Sequence, residues 1–250
     1  MLDVSTRPLS AEERPSAVGA FIGSLLRRVY AVTGRARYDE FRFERVLGTP
    51  IVVLPTVANP KVLRTGAFFA SQIDARLIGA NADVLDMGTG SGICALFAAR
   101  IARRVVAVDI NPAAIRCVRV NALLNGLDTR IDARQGDLFG PVAGERFDVV
   151  LFNPPFLLGV PTDDRDAAWR SNDIAERFAD GLGAHLNTRG KALLMLSTFG
   201  PACTRFESEL HQRGFRLAVV ARKRFINETV TLLGVTPVPT REAKDRVRDA

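Results

Sequence analysis

The sequence predicts an α/β fold: a doubly wound sheet of seven strands, mostly parallel with an antiparallel last strand, and a small helix and hairpin extension at the N-terminus. Three observations predict it. From Asp83 onward, short apolar runs alternate with stretches of helical length, the pattern of parallel strands joined by crossover helices. The last two apolar runs, 217–221 and 230–235, lie too close together for a crossover helix, so they should pair antiparallel. An apolar fraction of 47% over 250 residues is that of a globular chain with a substantial core.

Residues 1–14 are polar. From Pro15, the side chains Val18, Phe21, Ile22, Leu25, Leu26 and Val29 recur at helical spacing and Arg27 and Arg28 fall off the stripe, so an amphipathic helix is expected to end near Gly34. Its apolar face is expected to pack on the main domain, with docking to a partner as the alternative. Phe41 and Phe43 alternate with Arg42 and Glu44, and Pro50 and Pro55 bracket the run 51–54, which together read as a small β-hairpin or lid. Arg35, Arg37, Arg42 and Arg45 interleave with Tyr38, Phe41 and Phe43. That pattern fits one buried and one solvated face better than a stacking surface for nucleic acid. Residues 1–60 are therefore expected to form an extension on the substrate side, 61–238 the main domain and 239–250 a charged tail.

Residues 64–79 read as a helix with Phe68, Phe69, Ile73 and Leu77 inward. A strand at 84–85 leads into a glycine-rich turn, followed by a helix over 93–103, a strand over 105–108 and a helix over 112–125 with Pro112 in its first turn. Strands are expected at 131–134, 149–152 and 192–196, with helices over 172–187 and from Pro201 to about Arg213. Arg222-Lys223-Arg224 is expected to be the turn between the last two strands.

A net charge of +7 and a pI near 10 favour an acidic partner or nucleic acid. Cys94, Cys117 and Cys203 are isolated, which suggests neither a disulfide framework nor a metal site and fits a reducing cytosol. The first residues, with Asp3, Arg7, Glu12, Glu13 and Arg14, lack the apolar core of a signal peptide, and no segment approaches transmembrane length, so a cytoplasmic chain without membrane contact is expected.

The chemistry is concentrated at strand ends. Asp86-Met87-Gly88-Thr89-Gly90-Ser91-Gly92 lies between a strand and a helix, where glycines let the backbone turn tightly and approach a ligand. It matches neither the dinucleotide fingerprint, whose third position falls on Ile93, nor a phosphate P-loop, which needs Gly-Lys-Ser/Thr. Asp109 ends the next strand, where a carboxylate can accept both hydroxyls of a ribose. Asp137 follows the third and can accept from an adenine amino group, with Ile110 and Phe139 placed to flank the ring. Each aspartate alone is an ordinary turn residue; at the ends of three successive strands they make a nucleoside site. Asn153-Pro154-Pro155-Phe156 follows the fourth strand, and two prolines cannot continue a ladder, so the chain leaves the sheet there as a stiff turn.

With these motifs, residues 60–235 resemble the class I S-adenosylmethionine-dependent methyltransferases, which have a Rossmann-like sheet. Asp86-x-Gly88-x-Gly90-x-Gly92 is similar to the family's first motif, Asp109 to its ribose-binding acid and Asp137 to its adenine-side acid. Asn153-Pro154-Pro155-Phe156 resembles the Asn/Asp-Pro-Pro-Tyr/Phe motif of the amino-methylating branch. That branch includes the release-factor glutamine methyltransferases and enzymes acting on adenine or guanine amino groups of DNA or RNA. The resemblance implies S-adenosylmethionine as cofactor, with Thr65, Thr89, Ile110, Leu138 and Asn153 also bordering it. It implies Asn153, Pro154 and Phe156 as catalytic residues and no metal.

A planar amide or amino nitrogen has a delocalised lone pair. The Asn153 side-chain oxygen and the Pro154 carbonyl can accept its two N–H bonds, orienting the nitrogen and stabilising positive charge as it develops. Phe156 can stack on the flat face of the acceptor. His185 and His211, both on expected helices, are read as surface residues. The segment 157–171, with Asp163, Asp164, Asp166 and Trp169, is a lid over the substrate or a solvated connection with Trp169 on the core. The expected acceptor is a protein glutamine side chain. A nucleic-acid amino group, a small-molecule amine and a nucleoside-binding regulatory module are the alternatives.

Overall fold

A computed structural model describes residues 40–238 apart from 164, 165, 167, 199, 201, 226 and 227. The helix expected over 15–34, Arg35, Arg37, Tyr38 and the tail from Pro239 lie outside the described residues.

In chain order the elements are a hairpin of β1 (Arg42–Val46) and β2 (Thr49–Val53), α1 (Thr65–Gln72), β3 (Asp83–Met87), α2 (Ile93–Ala99), β4 (Arg104–Asp109), α3 (Pro112–Leu124), β5 (Ile131–Gln135), β6 (Phe147–Phe152), α4 (Ile174–Leu182), β7 (Leu186–Ser197), α5 (Ala202–Gln212), β8 (Phe215–Arg224) and β9 (Thr229–Pro237). Strands β3 to β9 form one sheet in the order β5-β4-β3-β6-β7-β9-β8. Pairing is parallel from β5 to β7, and β9 runs antiparallel to both of its neighbours, as expected.

The strands are apolar on both faces because helices cover both. Val84, Val105 and Leu151 join one buried cluster with Phe69 of α1, Leu96 of α2 and Val118 of α3. Their neighbours Leu85, Val106 and Val150 point the other way, into a cluster with Phe178 of α4 and Phe206 of α5. The sheet order reverses between β3, followed outward by β4, and β6. Ligands bind at the strand carboxyl ends over such a switch point.

The hairpin is docked on α3 by a buried amide. Asn121 Oδ1 accepts from Val52 N at 2.6 Å, and Nδ2 donates to Val52 O and to Ser91 O, both at 2.8 Å. Asn125 adds a bond to Pro50 O at 3.0 Å. The hairpin is thereby tied to the glycine turn as well as to the helix.

Several expectations are corrected. The hairpin has one inward and one solvated face, as expected, and the solvated one is the aromatic one: Phe41 is 53% and Phe43 71% exposed. Cross-strand register explains it, because Arg42 and Glu44 stand opposite Val53 and Ile51, on the face that packs inward. Glu44 is satisfied there by Asn59 and Lys61. The helix expected over 64–79 stops at Gln72, since Asp74 Oδ1 accepts from the backbone N–H of Arg76 and Leu77 and holds a turn instead. The helix expected to reach 187 ends at Leu182, a short 3₁₀ turn follows, and β7 already begins at Leu186. Arg222-Lys223-Arg224 is strand, not turn: Lys223 pairs with Val230 and Arg224 with Thr229. The reversal falls later, where Phe225 N donates to Glu228 O at 2.7 Å.

Candidate functional site

A cavity of about 410 Å³ opens over the carboxyl ends of β3, β4 and β6, a size suited to a small molecule. Every expected site residue except Gly92 and Phe139 borders it. Gly92 serves packing: it lies at φ +81°, and a Cβ there would stand 3.0 Å from Val118 Cγ2 and 3.3 Å from Val118 Cα, so even a methyl group would be strained and would press Val118 of α3 aside. Gly90 is the opposite case. At φ +56° it is equally left-handed, yet an added Cβ would meet nothing within 4 Å, which leaves the space beside it open for a ligand.

The acids at the strand ends are anchored by the backbone. Asp86 is buried; its Oδ2 accepts from Thr89 Oγ1 at 2.6 Å and Ala95 N at 3.0 Å, clasping both ends of the glycine turn. Burial pushes its carboxyl up to about 7, against the pull of those hydrogen bonds and with a smaller push from Asp109. Asp109 accepts from Gly90 N and Asn111 N, one on each oxygen and both at 2.9 Å. Asn111 caps α3 by accepting from Ala113 N at 2.8 Å, and its Nδ2 reaches Thr56 O at 3.3 Å, drawing the chain after the hairpin to the cavity wall.

Asp137 borders the cavity beyond β5, with its carboxylate ion-paired to Arg177 of α4. Leu138 borders it too, from the left-handed region at φ +46°, a strained conformation for a branched side chain. Phe139, expected beside Ile110, instead turns into the core between Phe178 and His185, at centroid distances of 5.7 and 4.4 Å. His185 is accordingly half-buried rather than a surface residue, and its Nδ1 bonds Gly181 O at 2.8 Å. Ile110 remains exposed at the rim.

On the β6 side, Pro154 and Pro155 are buried and Phe156 is half-buried. The Asn153 amide is oriented by its neighbour: Thr65 Oγ1 gives its only proton to Leu63 O at 2.9 Å, so toward Asn153 it can only accept, from Nδ2 at 3.5 Å. Asn153 Oδ1 is left buried with no hydrogen-bond partner among the described residues. Such groups are rare in native proteins and ask for an explanation.

Sequence reasoning left Trp169 open and missed Arg64 and Glu228, all three of which border the cavity. Trp169 is placed by a bridge that closes 157–171 into a loop, with Leu157 N donating to Trp169 O at 2.8 Å and Ser171 N to Leu157 O at 3.0 Å. Asp166 stiffens this loop by accepting from Arg170 Nε at 2.8 Å and Thr162 N at 3.1 Å. Glu228 accepts from Ser197 Oγ at the end of β7. No local motif marks these residues, because sheet order alone brings them together. Among the described residues no cluster of His, Cys, Asp and Glu could hold a metal ion, and no helix is long and apolar enough to cross a membrane.

Residues 56–224 match the family model of the methyltransferase small domain. A Methanocaldococcus jannaschii protein named as a protein N5-glutamine methyltransferase is 32% identical over 154 residues, covering 57% of this chain and 75% of the relative. A release factor glutamine methyltransferase of Moorella thermoacetica is 32% identical over 174 residues, covering 64% of this chain and 59% of the relative. A 16S rRNA N2 G1207 methyltransferase of T. thermophilus, solved with AdoMet and guanosine, has the same fold at a TM-score of 0.56 and 22% identity, over 79% of this chain and 50% of that one. The acids at the ends of β3 and β4 and beyond β5, the open glycine turn and the matched family agree: the chain belongs to the methyltransferase small-domain family and is an S-adenosylmethionine-dependent methyltransferase.

Proposed function

We propose that the protein methylates a planar amide nitrogen, that of a glutamine side chain in a protein substrate. The observation that carries this reading is Asn153 Oδ1, a buried acceptor with no partner of its own, at the end of β6 beside Pro154 and Phe156. The relatives named as glutamine methyltransferases support the same acceptor.

Asp109 accepts from the ribose hydroxyls of the cofactor and Asp137 from its adenine amino group, while the space beside Gly90 admits the rest. When bound, S-adenosylmethionine supplies an electrophilic methyl group on a sulfonium centre. Asn153 Oδ1 and the Pro154 carbonyl accept the two N–H bonds of the glutamine amide and aim its lone pair. Both interactions strengthen as the nitrogen becomes positive, so they favour the transition state over the bound substrate. The N–CH3 bond forms as the S–CH3 bond breaks, S-adenosylhomocysteine is the neutral leaving group, and the cationic nitrogen gives one N–H proton to solvent when the site opens. Phe156 stacks on the amide plane, and Trp169 closes the site against water. Thr65 acts through Asn153 by fixing which end of its amide faces away. The three buried, free cysteines fit a reducing compartment, the cytosol.

A second reading, an amino group of RNA or DNA, is favoured by the net charge of +7. Incubation with labelled cofactor and a cell lysate separates the two. Label destroyed by protease and recovered as methylglutamine supports the first reading. Label destroyed by nuclease replaces it with the second.

A further inference from the structure

Beside the cavity two cations share one aromatic ring, an arrangement found nowhere else among the described residues. Arg64, which borders the cavity just before α1, lies over the ring of Phe225 at 5.0 Å. Lys223, at the end of β8, lies over the same ring at 5.3 Å and over Phe68 of α1 at 5.8 Å. Elsewhere many cations meet acids, as Arg134 does with Asp132 and Glu145 and Arg213 with Asp180 and Glu209, or backbone carbonyls, as Arg119, Arg130 and Arg146 do, and Arg100 lies singly over Phe97. Among the described residues no carboxylate pairs with Arg64, Lys223 or Arg224. The acid on this rim, Glu228, is engaged by Ser197. Two cations held over one ring repel each other, and the aromatic faces fix them in place rather than letting them swing apart. An anion docked across them relieves that repulsion and finds its partners already ordered.

We propose that this basic ridge, Arg64 and Lys223 on Phe225 and Phe68, docks an acidic Asp/Glu segment flanking the acceptor glutamine in the protein substrate. The inference rests on the glutamine reading above and extends it to the substrate's surroundings. A nucleic-acid partner fits the ridge less well. Single strands bind by stacking bases on exposed rings, but these two rings are covered outside by Arg64 and Lys223 and packed inside against the core.

The test measures binding of four fluorescent probes to the full-length protein with cofactor present. One is a peptide with a central glutamine flanked by glutamates, the second has serines in their place, the third keeps the glutamates but carries alanine for glutamine, and the fourth is an oligouridylate of equal charge. The acidic glutamine peptide should bind roughly five- to tenfold tighter than the serine peptide at low ionic strength, and the advantage should shrink as salt rises. Lys223→Gln should reduce the advantage and Lys223→Glu abolish it, with cofactor affinity by calorimetry confirming that each variant is folded. Equal binding of the first two peptides, or a preference that survives Lys223→Glu, overturns the proposal. So does an oligouridylate that binds more tightly than the acidic peptide and loses its affinity in Lys223→Glu. If both acidic peptides bind alike and neither accepts label, the ridge stands and the glutamine reading falls. If the serine peptide binds as well as the acidic one and is methylated on glutamine, that reading stands and the ridge falls.

Discussion

The two halves of the cavity are finished to different degrees. On the cofactor side the acids are already bonded: Asp86 to Thr89 and Ala95, Asp109 to Gly90 and Asn111, Asp137 to Arg177. On the acceptor side, Asn153 keeps one end of its amide tied to Thr65 and the other without a partner. The first half is therefore part of the fold as much as of the site, and damage to it should register in stability and binding together. On the proposed reading the second holds back a polar group for the acceptor, so its loss should register in rate alone.

The largest effect should come from closing the open space on the cofactor side. Gly90→Val puts a β-branched side chain where nothing stands within 4 Å and forces it into the left-handed region. Calorimetry should find no cofactor binding to a protein that circular dichroism shows to be folded. Normal binding would mean that the space beside Gly90 is not where the cofactor lies.

Asn153→Ala is the sharpest probe of the contrast. Single-turnover methyl transfer should fall by about two orders of magnitude or more, as for loss of one preorganised polar group. Cofactor affinity should hold, and the melting temperature should stay level or rise slightly, since a buried unsatisfied acceptor is removed. Asn153→Asp keeps an accepting oxygen and should retain partial activity. A wild-type rate in Asn153→Ala would end the amino-acceptor mechanism.

Asp109→Ala should weaken cofactor binding roughly tenfold or more, about the effect of one lost charge-assisted hydrogen bond. Here the melting temperature should drop as well, because Gly90 N and Asn111 N lose their partners. A drop in affinity with unchanged stability would erase the distinction between the two halves.

The smallest effect is a pH dependence. Asp86 titrates near 7 in the fold against 3.8 for an ordinary aspartate, so between those values the folded state holds a proton that the unfolded chain has released. Its contribution to stability is complete below about 3.8 and is lost as pH rises through about 7. Asp86→Asn cannot ionise and can still accept from Thr89 and Ala95. Its melting temperature relative to wild type should climb between pH 5 and pH 8; a constant difference would show that Asp86 stays ionised throughout.

The element order, the antiparallel end of the sheet and the acids at the ends of β3 and β4 were legible because each is a local signal, periodicity or spacing within one strand–turn–helix unit. Arg222-Lys223-Arg224 read as a turn because β8 is the sheet's outer edge, and a strand solvated along its length has a turn's composition. Phe139 was misplaced by one residue of backbone: Leu138 at positive φ changes which side chain faces the cavity, and nothing in a leucine announces that. Arg64, Trp169 and Glu228 come from three distant stretches, so no window of sequence contains their relation.

Asn121 makes the family boundary and the cooperative unit two different things. The matched domain begins at residue 56, but Val52, which lies before it, occupies the Asn121 amide on both its oxygen and one of its protons. A chain begun at residue 56 would strip a fully buried side chain of those partners, at a cost of about 1–3 kcal/mol for each group left unpaired, and would uncover the apolar wall that Ile51 and Val53 now close. The remaining bond, to Ser91, would be the sole tether of that amide to the glycine turn. A minimal expressible unit thus has to start upstream of Arg42, and fusion tags or crosslinks placed on the hairpin should be felt, through Asn121 and its bond to Ser91, at the glycine turn.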